Sequence, residues 1–492
     1  MPIMVERSKW ILYKHIKNYE IIKAVALDVK NNCVANVGDL ERQRMMDRLS
    51  ALSLYKARNN VDRPLDSINH RINTLEFFMF GYEDKKAKRF IFSPLGNLFL
   101  SNIHNEEHLS KIFATMLCAV QFHHWANGTP DEFQLYPFRL IFKLLMDDRL
   151  EKRLYNAEYA YILPFIQEVN ENNYNDIVDS ILEFRIKTDE EKTKLLKEDE
   201  HTYVNCIYEW QYYVQEILKS AGILDIVSGD NMCKLFHPQK TNSHSKPTSR
   251  YIRNGYVTIN GNIEKYVQSL IDEYSPFQRP VRFDDDNRMQ MDIVKEIYSF
   301  YPSMLIKEIN GEDESDINVQ LLRLPELISQ YAENPNNDTA YLFEDVLEEG
   351  FNWFVNVEAR KIGGSGHTDI ECLYITEKKK FAVEAKSTTN KLSFINAGRL
   401  REHRNEIGGH YTIVITPRYV PAVKSDIKGE PIVIILANTF SEYLYNHIYH
   451  GSRDIDYKDF DDIIINNLGN DISDLISDMT MSKFATSSRT TS

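Results

Sequence analysis

Near Leu321 the hydrophobic pattern of the chain changes its period, and that change limits the folds open to it. Before that point apolar residues recur at helical spacing, as in Leu109, Ile112, Phe113, Met116, Leu117 and Val120. Residues three and four apart share one face of a helix, so the run predicts a helix over 109–122, with similar ones over 138–150 and 203–218. Short aromatic runs such as FIFSPLG, starting at Phe90, interrupt the helices. Helices broken by short strands predict a mainly helical, winged-helix-like first half. Beyond Leu321 the pattern predicts a helix over 342–354, strands over 355–362, 368–375 and 380–386, a helix over 394–404, and buried β runs over 411–416 and 431–436. That order predicts an α/β domain, a mixed sheet flanked by helices.

With 492 residues the chain is too long for one core, because single cores rarely exceed roughly 250–300 residues. Pro276, Pro280, the Asp284–Asp286 run and the acidic stretch NGEDESD at 310–316 interrupt the pattern. They predict a first region over 1–275, a linker over 276–320 with a helix near 288–309, an α/β domain over 321–450, and an acidic extension over 451–492. The formal net charge of −14 excludes a uniformly basic coat but not a basic cleft. Five scattered cysteines without a CxxC pair argue against a zinc knuckle or a disulfide framework, and they suit reduced thiols in the cytoplasm. No signal peptide and no stretch of ~18 apolar residues is present, so no membrane span is expected.

One string carries chemistry: GGSGHTD at 363–369, followed by VEAK at 383–386. Residues i and i+2 of a strand point the same way, so Glu384 and Lys386 should look into one space. A hairpin would bring Asp369 beside them. Two carboxylates at one point can hold Mg²⁺, a hard cation that prefers oxygen, and the backbone carbonyl of Ala385 could complete its shell. A phosphodiester needs its charge neutralised as the attacking oxygen arrives, which the cation and Lys386 could both supply. Glu344, on the helix before the first strand, is a fourth element of the site and its third acid, with Glu348 one turn on as its reserve. A lone D…ExK also describes a solvated hairpin. Here the apolar Phe381-Ala-Val before the Glu makes the strand central, where unpaired charge is costly. The glycine run is no phosphate loop for a nucleotide, since no Gly-Lys-Ser/Thr follows.

A helical Glu, then GGxGxxD, then ExK resembles the PD-(D/E)xK nuclease superfamily over about 321–436, with Thr368 where the Pro usually stands. The resemblance implies a restriction-endonuclease-like domain with Mg²⁺ at Asp369 and Glu384 and with Lys386 beside the attacking water. FSPLGNL at 92–98, QLYPFRL at 134–140 and GRLREHR at 398–404 resemble type IIS restriction endonucleases of the AlwI-like group. That resemblance implies a DNA-recognition region ahead of the nuclease domain, and cleavage a few bases outside the recognised double-stranded sequence. One centre cuts one strand, so a transient homodimer through the nuclease domain is expected. A strand-specific nickase, a modification- or structure-directed nuclease, and a DNA-binding regulator with an inactive nuclease fold are the competing readings.

Two basic stretches are candidates for DNA contact: Arg42, Arg44, Arg48 and Arg58, and then Lys240, Lys246, Arg250 and Arg253 in a Ser/Thr/Asn/Pro-rich segment over 237–255 that reads as an exposed loop. Either could equally be a solvated surface. Arg399 and Arg401, with Glu402, His403 and Arg404, lie on the helix after the active-site strand. They could touch phosphates there or form an ordinary charged face.

Overall fold

A computed structural model describes residues 5–486 apart from 14, 34–36, 53–64, 86–87, 242–245, 284–292, 295–296, 299, 301, 311–316, 336–338, 363–366 and 450–454. The chain divides into two compact units, 1–282 and 283–492. Arg58, the glycine turn at 363–366 and the first turn of the helix expected near 288–309 lie outside the described residues, and the end of that stretch is the helix Ser303–Asn310.

The first unit is mostly helical. The helix Glu106–Ala119 starts where the Asn105 side chain accepts from the N–H of His108, and it carries Glu106 and Glu107 in its first turn. Both features satisfy the exposed N–H groups and the positive end of a helix. Leu109, Ile112, Phe113, Met116 and Leu117 are fully buried on it. The helix Pro137–Met146 uses Pro in its first turn, where no N–H is needed. Short strands punctuate the helices: β1 (Gly81–Asp84) with β2 (Arg89–Phe92), then β3 (Leu154–Tyr155) and β4 (Leu224–Val227). Later come β5 (Asn231–Thr241), β6 (Pro247–Arg253) and β7 (Tyr256–Ile259).

Two features of this unit differ from expectation. The described residues of the segment expected as an exposed loop belong largely to a two-stranded antiparallel ribbon, β5 with β6, which pairs Lys234 with Tyr251 and Leu235 with Arg250. Cys233, Leu235 and Ile252 on one of its faces are buried with Val204, Cys206 and Ile207 of the helix Glu200–Glu209. That one covered face holds the ribbon, because an isolated hairpin is marginal in water. The single helix expected over 203–218 is interrupted by a wide π turn at Trp210–Val214. Such turns re-aim side chains; here Gln211 and the Tyr212 hydroxyl both donate to the carbonyl of Tyr251 on the ribbon.

The second unit is built on a five-stranded mixed sheet in the order β12-β11-β10-β9-β8. β8 (Val357–Lys361), β9 (Ile370–Tyr374) and β10 (Lys379–Ala385) form an antiparallel meander. β11 (Thr412–Thr416) and β12 (Ile432–Leu436) continue parallel to β10. Every residue of β11 and β12 is buried, as strands with both faces covered require. The parallel step from β10 to β11 passes through the helix Ala397–Glu406, and Ala340–Phe351 precedes β8. Residues 455–486, expected to be an acidic extension, complete this unit instead. The Tyr457 ring stacks on Phe381 at 4.9 Å, Asp461 accepts from the Tyr411 hydroxyl at 2.9 Å, and Asn470 and Ile432 bond the backbone of the same segment to β12. The apolar positions Tyr457, Phe460 and Ile464 keep helical spacing among the aspartates.

Candidate active site

β9 and β10 pair Ile370 with Val383. One residue further along this antiparallel register, Asp369 stands opposite Glu384, so the two carboxylates share a face by construction. Lys386 follows Glu384 at i+2, just past the end of β10, and its own N–H still bonds to Ile415 of β11. Central position in the sheet therefore fixes the backbone under all three residues.

The side chains meet there. The Lys386 ammonium is 2.7 Å from Glu384 Oε2 and 3.7 Å from Asp369 Oδ2. Asp369 Oδ2 also accepts the Ala385 N–H at 2.8 Å, which locks the carboxylate onto the end of β10. Glu384 has no exposed surface, and its second oxygen lies 2.9 Å from Nδ1 of the buried His403. His403 shares the buried face of the helix Ala397–Glu406 with Leu400 and Arg404. That face is the covered side of the charged helix read in the sequence, and through it His403 supports Glu384. Arg399 is exposed, and Arg401 pairs with Glu430.

Burial, together with the facing Glu384 carboxylate, pushes the Asp369 carboxyl up to about 6, against the pull of Lys386 and the Ala385 N–H. Glu344 adds to that pressure from the neighbouring helix. Its own carboxylate is 3.1 Å from Lys361, which Asp345 shares. Glu348, the reserve candidate, instead accepts the backbone N–H of Lys361. The cluster thus holds an excess of negative charge that a cation would relieve. Its donors are oxygens, the type Mg²⁺ prefers. Among the described residues no group of three or more His, Cys, Asp or Glu side chains is arranged as a metal cage. A cation here would rest on two carboxylates plus backbone oxygen and solvent, which suits an ion that keeps several waters.

The basic candidates of the first unit separate into two sets. Arg42 is spent on Glu83 at 2.6 Å and on Asn69 and the Val37 carbonyl. Arg48 forks onto Asp28 and reaches Glu41. These two arginines, expected at DNA, tie their helix into the fold: Arg42 to Glu83 on β1 and Arg48 to Asp28 at the end of the helix Tyr19–Asp28. Arg44 also faces Glu41 but stays largely exposed, and Lys240 sits 2.5 Å from Glu6. Lys246 and Arg253 are exposed, and Arg250 stacks over Tyr208 at 4.0 Å.

The family profile described as "Type II restriction endonuclease HgaI, N-terminal domain" matches residues 5–274. The type II restriction enzyme HgaI of Avibacterium volantium is 48% identical over 478 residues, covering 96% of this chain and 97% of that protein. The chain belongs to the type II restriction endonuclease HgaI family. Among solved structures, a BpuJ1 endonuclease binding domain in complex with modified DNA covers 60% of the chain and 95% of that domain, at 15% identity and a TM-score of 0.39. The restriction endonuclease FokI covers 94% of this chain and all of its own, at 10% identity and a TM-score of 0.29. Scores that low do not define a shared fold. The HgaI-family match spans the helical unit and, through the full-length relative, the sheet that carries Asp369, Glu384 and Lys386.

Proposed function

We propose that this chain binds a specific double-stranded DNA sequence through its first unit and hydrolyses phosphodiester bonds outside that sequence, in the manner of a type IIS enzyme, with a PD-(D/E)xK-type centre in its second unit. The observation that carries the reading is the meeting of Asp369, Glu384 and Lys386 at the end of a central strand. Membership of the HgaI family supports the reaction class. The resemblance of short strings to the AlwI-like group supports the same layout, a winged-helix-like reader ahead of the nuclease.

Each residue has a physical task in this reading. Asp369 and Glu384 would hold Mg²⁺, with the Ala385 carbonyl as a further oxygen. The bound ion supplies Lewis-acid neutralisation of the phosphate charge and lowers the pKa of an attacking water. His403 and the Ala385 N–H fix the two carboxylates, so little reorganisation is left for the reaction itself. Lys386 is partly exposed beside both acids, placed to orient the attacking water and to face the pentavalent phosphate. Glu344 contributes a nearby acid whose charge Lys361 moderates. With one such centre per chain, double-strand cleavage takes two copies meeting transiently through the nuclease unit.

Digestion of a plasmid of known sequence in Mg²⁺ tests the reading. Discrete fragments, with ends at a fixed offset from one repeated sequence, are expected. A smear of random products refutes sequence recognition, and an intact plasmid bound in a gel shift favours an inactive DNA-binding regulator.

A further inference from the structure

Arg42, Arg44, Arg48 and Lys240 of the first unit already face carboxylates. Arg250 does not, and it meets two further cations, Lys17 and Lys234, at one cleft. It has a volume of about 460 Å³ and is lined by Lys17, Tyr208, Tyr212, Tyr213, Lys234, Ser249, Arg250 and Tyr251. No Asp or Glu lines it, which is notable in a chain of net charge −14. Among the described residues neither Lys17, Lys234 nor Arg250 enters a salt bridge, and the Arg253 guanidinium lies 5.7 Å from the ring of Tyr212, one of the lining residues.

The cleft is stiff where it needs to be. The Arg250 guanidinium lies over the Tyr208 ring at 4.0 Å and donates to the Ser249 carbonyl at 2.7 Å, so its orientation is set before any ligand arrives. Lys234 sits between the Phe236 and Tyr251 rings at 5.3 and 5.4 Å, and both rings are more than a third exposed. The π turn at Trp210–Val214 presents Tyr212 and Tyr213, and Tyr213 shares a hydroxyl contact of 3.0 Å with Tyr208. Cations held on aromatic faces, beside hydroxyls and without a competing acid, match a chain of phosphates and sugars. Phosphate oxygens accept from Lys, Arg and Tyr, and a pre-set guanidinium loses little freedom on binding.

We infer that this cleft, between the ribbon β5–β6 and the helix it covers, is a phosphate-backbone clamp for DNA, in which Lys17, Lys234 and Arg250 each neutralise a phosphodiester. The clamp rests on the proposed function and adds to it the residues that fix the register of the first unit on its duplex. Such contacts carry no sequence information themselves, but they fix how the protein lies over the bases it reads. A phosphate contact also has a thermodynamic signature, since each one releases counterions and adds roughly 0.9 to the slope of log K against log salt.

The test is fluorescence anisotropy of the full chain on a duplex carrying the sequence read from the plasmid fragment ends, in EDTA, across a salt series. Lys17→Ala, Lys234→Ala and Arg250→Ala are each expected to lower the steepness of the slope by about 1 and to weaken binding several-fold at low salt. The triple variant should lose about 2.7. Lys265→Ala, an exposed lysine elsewhere on the same unit, should leave the slope unchanged, and Arg250→Lys should retain it while lowering affinity. Unaltered circular dichroism separates loss of contact from loss of fold. If wild type binds and cuts while the three alanine variants keep its slope, the clamp is refuted and the function stands. If wild type neither binds nor cuts, the function falls and the clamp with it.

Discussion

Replacing Lys386 by Met should damage the second unit before any question of catalysis arises. Glu384 is fully buried, and its charge is balanced by Lys386 at 2.7 Å and by the contact with His403. Removing one partner of a buried ion pair costs about 3–5 kcal/mol, because the remaining charge is left in low dielectric. Lys386 itself is about a third exposed, so water reaches part of the site and the lower end applies, about 3 kcal/mol. For a unit of this size, 283–492, each kcal/mol moves Tm by roughly 2–4 °C, which predicts a fall of about 6–12 °C in its thermal transition. The double variant Glu384→Gln with Lys386→Met removes both charges and should recover most of that loss, while neither variant cuts DNA. Scanning calorimetry of wild type and the two variants in EDTA provides the measurement. A Lys386→Met protein that melts with wild type, or a double variant less stable than the single one, would refute the claim that a buried charge pair is the physical basis of the site.

Two further outcomes follow from the same structure. Burial pushes the Glu76 carboxyl up to about 7 from 4.5, although the Glu83 N–H and the Trp125 indole donate to it. Between those values the unfolded chain is ionised while the folded one keeps its proton, so stability falls as pH rises through this window; Glu76→Gln should match wild type near pH 4 and exceed it by about 3 kcal/mol at pH 8 in urea unfolding. The proposed single centre per chain predicts that the rate of double-strand cleavage rises more steeply than linearly with enzyme concentration, and nicks that persist at every concentration would count against dimerisation.

The parts of the fold legible in the sequence were those fixed by local pattern. The strands with both faces covered show as uninterrupted apolar runs, as in Ile432–Leu436, and the i, i+2 spacing of Glu384 and Lys386 sets their common face. Long-range partners were not legible. Arg42 and Arg48 read as candidates for DNA contact because Glu83 and Asp28 lie 41 and 20 residues away along the chain. The ribbon β5–β6 was hidden because few apolar residues, chiefly Cys233, Leu235 and Ile252, mark its covered face, while the segment joining its strands has the composition of a loop. The tail was masked by its aspartates, although Tyr457 and Phe460 belong to the aromatic core around Phe381. His403 was visible only as one charge among several, since a helix shows its buried face in the sequence only when that face is apolar.

Asp369→Asn is the most direct probe of the account. Asn retains an oxygen to accept the Ala385 N–H but removes the charge that faces Glu384 and Lys386. Binding and cleavage of a duplex carrying the recognised sequence would be measured side by side, at saturating enzyme and with Mg²⁺. The account predicts wild-type affinity with cleavage reduced about a hundred- to a thousandfold, the scale of losing one electrostatic contributor to a transition state. Cleavage by the variant at the wild-type rate would place the reaction elsewhere in the molecule.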